Sequence, residues 1–191
     1  LTSAVGVAAN IITKWDGTNW SALGSGIEGV GTVRVNALAF DASGNLYAGG
    51  WFTSAGGASV NNIARWDGTS WSPLGGGVNG QVSALCVRGS DICVGGAFYS
   101  SGEYFAVWNG SIWLDVGYAT GGEIYALTAS GSDVIAGGWF EGAGDVSAYG
   151  VAKWDGLAWS AFGNGISHPH LRAHIESLAV SGGDVVAGGD F

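Results

Sequence analysis

The chain has 191 residues, a formal net charge of −9, six Lys and Arg, and 11% charged residues, against about 25% in an average soluble protein. Phosphate-backbone binding needs clustered cations that release counterions, so nucleic acid is excluded as a partner. No apolar run reaches about 18 residues without Gly or polar interruption, which excludes a membrane-spanning helix.

The first residues, LTSAVGVAAN (1–10), have neither an initiator Met nor a basic n-region and read as a mature or trimmed end. Ser, Thr and Asn stand where Lys and Glu are common, which favours an exported, extracellular or cell-surface protein. The segment TKWDGTNW (13–20) then opens a series continued by ARWDGTSW (64–71), AVWNGSIW (106–113) and AKWDGLAW (152–159). Trp15, Trp66, Trp108 and Trp154 lie 51, 42 and 46 residues apart. A second marker keeps step: Gly49-Gly50, Gly95-Gly96, Gly137-Gly138 and Gly188-Gly189, each followed one residue later by Phe52, Phe98, Phe140 or Phe191. Four units of propeller-blade length follow.

Within a unit, short β-rich runs are bounded by Gly, Asn and Asp, and nothing of helical length carries a period near 3.6. In the second unit VSALCV (82–87), DICVGGAF (91–98), YFAVW (104–108) and SIWLDVG (111–117) predict four antiparallel strands. Asp-Gly or Asn-Gly supplies the positive φ of a tight type I′ turn between the third and fourth strands. Whether the loop is two residues or four, that bend sets the two Trp of each motif on one face of the hairpin. Each ring buries roughly 200 Å², so the pairs predict the core between blades. Lys14, Arg65 and Lys153 precede the motif's first Trp while Asp16, Asp67 and Asp155 follow it, and both change together to Val107 and Asn109 in the remaining unit. The pattern predicts a local ion pair that serves the scaffold.

Blade-length repeats with a strand ending in Gly-Gly, as in LYAGG (46–50) and VIAGG (134–138), followed by a Trp-bearing hairpin, resemble kelch-type β-propellers. They resemble still more the GGxF…WDGxxW repeats of secreted bacterial and cell-surface propeller proteins. The resemblance covers nearly the whole chain and implies architecture. Propellers host binding, scaffolding and catalysis alike, so it does not imply one activity. The copper ligands of kelch-type oxidases find no residue-by-residue counterpart here, and that chemistry is not carried over.

The expected fold is therefore all-β: one β-propeller domain over 1–191 with four-stranded antiparallel blades, repeats at about 24–74, 75–117 and 118–163, and a split blade from 1–23 plus 164–191. Strands three and four of the split blade fall at about 11–23, and strands one and two at about 175–190. Joined in one chain they give a two-plus-two closed ring. Joined between chains, head to tail, they give a larger ring or a filament, and a third reading makes the chain part of a longer propeller.

Several motifs bear on chemistry. GSGIEG (24–29) and GGGVNG (75–80) fit G-x-G-x-x-G, but neither precedes a helix, so both read as inter-blade loops. DASGN (41–45) resembles the start of a calcium loop, yet Phe52 stands where the closing Glu belongs, which favours a hairpin turn. Trp51 and Trp139 follow Gly doublets and lead into loops on one face of the disc. There they either stack on sugar rings, with Glu141, Asp145, Tyr99 or Tyr104 nearby, or lie buried under the loop. His168, His170 and His174, with Glu176, occupy an extended loop and form either a zinc or copper site or a solvated surface. Cys86 and Cys93 fall opposite each other across a predicted hairpin, as a disulfide or as two buried thiols. Asn19 (NWS) and Asn109 (NGS) satisfy the glycosylation triplet on an accessible hairpin. No catalytic triad or cofactor loop is evident, so no enzyme and no cofactor is expected apart from a metal at the His-rich loop. The leading expectation is a structural or adhesion module whose partners are proteins, itself included. Carbohydrate binding and a metal-dependent enzyme are the alternatives.

Overall fold

The computed structural model describes residues 2–4, 7–98, 104–114, 116, 119–166 and 173–191. A hairpin of β1 (Thr13–Trp15) and β2 (Trp20–Ala22) leads into three four-stranded antiparallel blades. The first comprises β3 (Arg34–Phe40), β4 (Leu46–Trp51), β5 (Ile63–Trp66) and β6 (Trp71–Pro73). The second comprises β7 (Gly80–Arg88), β8 (Asp91–Phe98), β9 (Phe105–Trp108) and β10 (Trp113–Leu114), and the third β11 (Ile124–Ser130), β12 (Asp133–Gly138), β13 (Val151–Trp154) and β14 (Trp159–Ala161). A last hairpin pairs β15 (His174–Ser181) with β16 (Asp184–Asp190). Each blade meanders in sequence order, and each innermost strand, β3, β7, β11 and β15, packs against the next. The fold is all-β, built of propeller blades. Among the described residues no helix is long and apolar enough to cross a membrane.

The core lies between blades rather than within one. One apolar layer joins Ile12 and Leu23 to Phe52 and Trp71, a second joins Tyr47 and Ile63 to Val82 and Val94, and a third joins Phe105 and Val107 to Ile124, Trp154 and Trp159. The first Gly of each doublet explains the close approach. A Cβ on Gly49, Gly95 or Gly137 would lie 2.4, 2.5 or 2.6 Å from Val82, Ile124 or Ile175 of the following inner strand. A small residue at that point lets adjacent sheets interlock.

Three of the four tryptophan pairs pack into the layers between blades, as expected, whereas Trp15 and Trp20 of the first hairpin are 50% and 39% exposed and correct the expectation there. Trp15–Trp20, Trp66–Trp71 and Trp108–Trp113 pair across their hairpins with ring centroids 5.4 Å apart, while Trp154 and Trp159 both set their rings edge-on to Phe105 of the second blade. The second indole of a pair reaches back to the preceding unit: Trp71 Nε1 donates to Leu23 O at 2.8 Å and Trp113 Nε1 to Leu74 O at 2.9 Å. The bend is a four-residue loop, not a two-residue type I′ turn, because Trp66 pairs directly with Trp71. Only its Gly has positive φ, as at Gly68 (101°).

The expected local ion pair is not what the Asp makes. Asp67 Oδ1 accepts the backbone N–H of Thr69 and Ser70, both at 2.8 Å, and Asp16 and Asp155 repeat the arrangement. An Asx turn needs only an acceptor, so Asn109 serves equally at Ser111 and Ile112. Lys153 bonds elsewhere, to Asp133 at 3.1 Å, and Arg65 donates to Asn45 Oδ1 at 2.8 Å. DASGN is a hairpin turn: Asp41 accepts from Ser43 N, Asn45 N, Asn45 Nδ2 and Tyr47 OH.

Among the described residues β1–β2 and β15–β16 are separate two-stranded sheets that do not pair with each other. The two half-blades lie at opposite ends of the stack: β15 packs on the third blade, and the β1–β2 unit shares its apolar layer with the first.

Candidate functional site

The loops after Gly49-Gly50 and Gly137-Gly138 each lie beside an inter-blade loop. Ile27–Glu28 pairs with Ser54–Ala55, and the third blade repeats this through the Thr120↔Ala143 bridge. Trp51 and Trp139 stand at these loops with 47% and 38% of their surface exposed, so they are not buried beneath them. Register places Arg34 opposite Trp51, and the Trp139 N–H donates to Glu123 O at 2.8 Å. Arg34, Gln81 and His174 thus each pair with the residue that follows a doublet, Trp51, Ala97 and Asp190.

Two patches result. Around Trp51, Thr32, Arg34 and Gln81 line an open depression of about 270 Å³. Around Trp139, the His174 ring lies 5.6 Å from the indole and stacks on Tyr125 at 5.8 Å. Tyr125 OH donates to Glu123 Oε2 at 2.9 Å. Burial, that hydrogen bond and the charges of Glu123 and Glu176 together push the Tyr125 hydroxyl up to about 12. The phenol stays protonated and acts as a donor. Aromatic faces beside amide, guanidinium and carboxylate groups can stack on the apolar face of a sugar ring and bond its hydroxyls.

Glu141 is exposed, and Asp145 is exposed at the tip of the small hairpin formed by Gly142–Ala143 and Val146–Ser147. Tyr104 is half-buried against the layer between the second and third blades, whereas Tyr99 lies outside the described residues. Arg34, Gln81, Glu123 and Tyr125 were missed from sequence. Counting ladder partners outward from each hairpin turn would have found them.

The proposed metal set is divided. His174 belongs to β15 and contacts two aromatic rings, Glu176 is exposed on the same strand, and His168 and His170 lie outside the described residues. Among the described residues no three His, Cys, Asp or Glu gather as a metal ion requires. Cys86 and Cys93 are direct cross-strand partners, as expected, but stand as two buried thiols rather than a disulfide. The neighbouring Cys86 thiol and burial hold the Cys93 thiol well above its ordinary range, which suppresses the thiolate that oxidation needs. Asn19 and Asn109 are exposed in their hairpin loops.

No protein-family model matches the chain, and no curated protein matches it. Two solved structures of computationally designed proteins are similar. Ika8 has 20% identity and a TM-score of 0.45, over 82% of this chain and 43% of that one. Ika4 has 19% identity and a TM-score of 0.49, over 85% of this chain and 89% of that one.

Proposed function

We propose that the protein is a non-catalytic extracellular module, structural or adhesive, that works by holding other protein chains at its open blade faces. One observation carries this reading: large apolar side chains stand exposed on the strands of the first blade and of the last hairpin. Leu38 and Phe40 on β3 are 53% and 66% exposed, and Val186 on β16 is 63% exposed where its equivalents Cys93 and Ile135 are 0% and 1%. Apolar strand faces of this kind are interaction surfaces. The resemblance to secreted and cell-surface propeller repeats supports the location. Sedimentation velocity tests the reading: the wild type is expected to be heavier than one chain, and Leu38→Ser with Phe40→Ser to return it to one chain. A wild type that sediments as a single chain at every concentration would overturn it.

A second reading, carbohydrate binding, is favoured by the exposure of Trp51 and Trp139. On a glycan array, binding lost in both Trp51→Ala and Trp139→Ala supports it. Binding that is absent, or unchanged in the variants, rejects it.

A further inference from the structure

We propose that the depression over Trp51 is a subsite for an acidic sugar, a hexuronic acid whose ring stacks on the indole and whose carboxylate pairs with Arg34. The proposal rests on the carbohydrate reading above and names the sugar class. Strand register builds the site from two complete blades. Arg34 and Trp51 are direct partners across β3 and β4, so their side chains leave the sheet on one face. Gly49 lies two residues before Trp51 and shares that face, and a Cβ there would meet Val82 and Leu85 of β7. The face therefore looks toward the second blade, whose inner strand brings Gln81 to the same depression, and Thr32 completes the lining.

The third blade shows what lies over the indole when the chain supplies it. Gln81 pairs with Ala97 as His174 pairs with Asp190, so the two positions correspond, one in the blade after Trp51 and one in the hairpin after Trp139. The His174 ring lies 5.6 Å from the Trp139 ring, tilted by 35°. Gln81 carries no ring, and the corresponding space beside Trp51 is an open depression of about 270 Å³. That is smaller than the sites of drug-sized molecules and suits one sugar ring. A pyranose offers C–H groups to the indole face and hydroxyls at its rim, for which Thr32 and Gln81 supply both donors and acceptors.

Charge selects the sugar. In a chain of net charge −9 with six Lys and Arg, most described cations are already engaged. Arg65 donates to Asn45, Arg88 pairs with Asp91 at 3.5 Å, and Lys153 pairs with Asp133 at 3.1 Å. Arg34 differs: among the described residues no hydrogen bond or ion pair engages its guanidinium. Glu28, in the adjoining loop, accepts instead from Asn10 Nδ2 at 3.1 Å. An exposed guanidinium at the rim of an aromatic platform binds a carboxylate through two parallel hydrogen bonds, a geometry that a neutral hydroxyl does not match. The Trp139 patch carries the opposite sign, with the Glu123 carbonyl accepting from Trp139 and its carboxylate beside Tyr125. A carboxylated ring is therefore steered to Trp51.

The test is isothermal titration calorimetry of the whole chain with trimers of galacturonate, glucuronate and mannuronate, each beside its methyl ester. At least one acid trimer is expected to bind, and its ester, which keeps the ring and loses the charge, to bind at least about tenfold more weakly. Arg34→Gln is expected to bind acid and ester alike. Gln81→His, which sets an imidazole beside Trp51 as His174 stands beside Trp139, is expected to weaken both, and each variant to keep the wild-type unfolding midpoint. An ester that binds as tightly as its acid overturns the proposal, as does a preference for the acid that survives Arg34→Gln, or unchanged binding in Gln81→His. Binding of neutral glycans alone, lost in Trp51→Ala, overturns it too and leaves the carbohydrate reading standing, whereas binding to no glycan overturns both.

Discussion

Replacing Trp71 by alanine removes a buried ring that tilts against Trp66 at 5.4 Å and whose Nε1–H holds the Leu23 carbonyl at 2.8 Å. An indole of about 200 Å² at about 25 cal/mol per Å² is worth ~5 kcal/mol, and the hydrogen bond adds about 1 kcal/mol. Partial collapse of the neighbours brings the expected loss to roughly 3–5 kcal/mol, the range of aromatic truncations in cores. Trp71→Phe separates the two contributions. It keeps most of the ring and removes the indole donor, leaving the Leu23 carbonyl only the Gly26 N–H, for an expected loss of about 1 kcal/mol. Trp51→Ala, on the exposed loop face, is the control, expected to cost below about 1 kcal/mol. Urea unfolding followed by far-ultraviolet circular dichroism, with slopes compared among variants, reads all three. The wedge argument fails if Trp71→Ala costs no more than Trp51→Ala, or if Phe costs as much as Ala.

Other positions give further tests. Gly137→Val drives a methyl group into Ile175, whose Cγ2 would lie 2.6 Å from the new Cβ, and is expected to cost at least about 1–3 kcal/mol in the same urea assay. The Asp67 carboxyl is held below the usual carboxylate range by the N–H groups of Ser70 and Thr69, as Asp155 is by Ala158 and Leu157. A depressed folded pKa gives stability that is present above the unfolded value and lost as pH falls through the folded one. Thermal midpoints are therefore expected to fall below about pH 4, and less steeply in Asp67→Asn, which keeps the acceptor without the proton. Arg88 lies 4.9 Å from the Trp154 ring centroid and donates to the carbonyls of Ser132 and Asp155 of the third blade. Arg88→Ala is expected to cost about 1–2 kcal/mol, and Arg88→Lys to recover only part of it.

The architecture was readable because its signals repeat. Gly doublets, paired Trp and Asx turns recur with the blade, and each copy corrects noise in the others. What stayed hidden depends on partners chosen across space. Arg65 with Asp67, and Lys153 with Asp155, are suitably charged and spaced for local ion pairs, but two turn N–H groups already claim each carboxylate, and Asp133 on the neighbouring strand claims Lys153. The aromatic site was half legible: Trp51 and Trp139 break the repeat and so drew notice. Tyr125 and His174 become neighbours only when consecutive inner strands stack, a contact that no spacing within one repeat encodes.

Hydrogen exchange at the indole Nε1–H groups, followed by nuclear magnetic resonance, tests the central claim most directly. Trp71 and Trp113 donate to the preceding unit, so their protons are expected to exchange as slowly as the most protected backbone amides of β8 and β12, and Trp51 to exchange within the dead time. Fast exchange at Trp71 and Trp113, matching Trp51, would show that these rings do not bridge successive sheets.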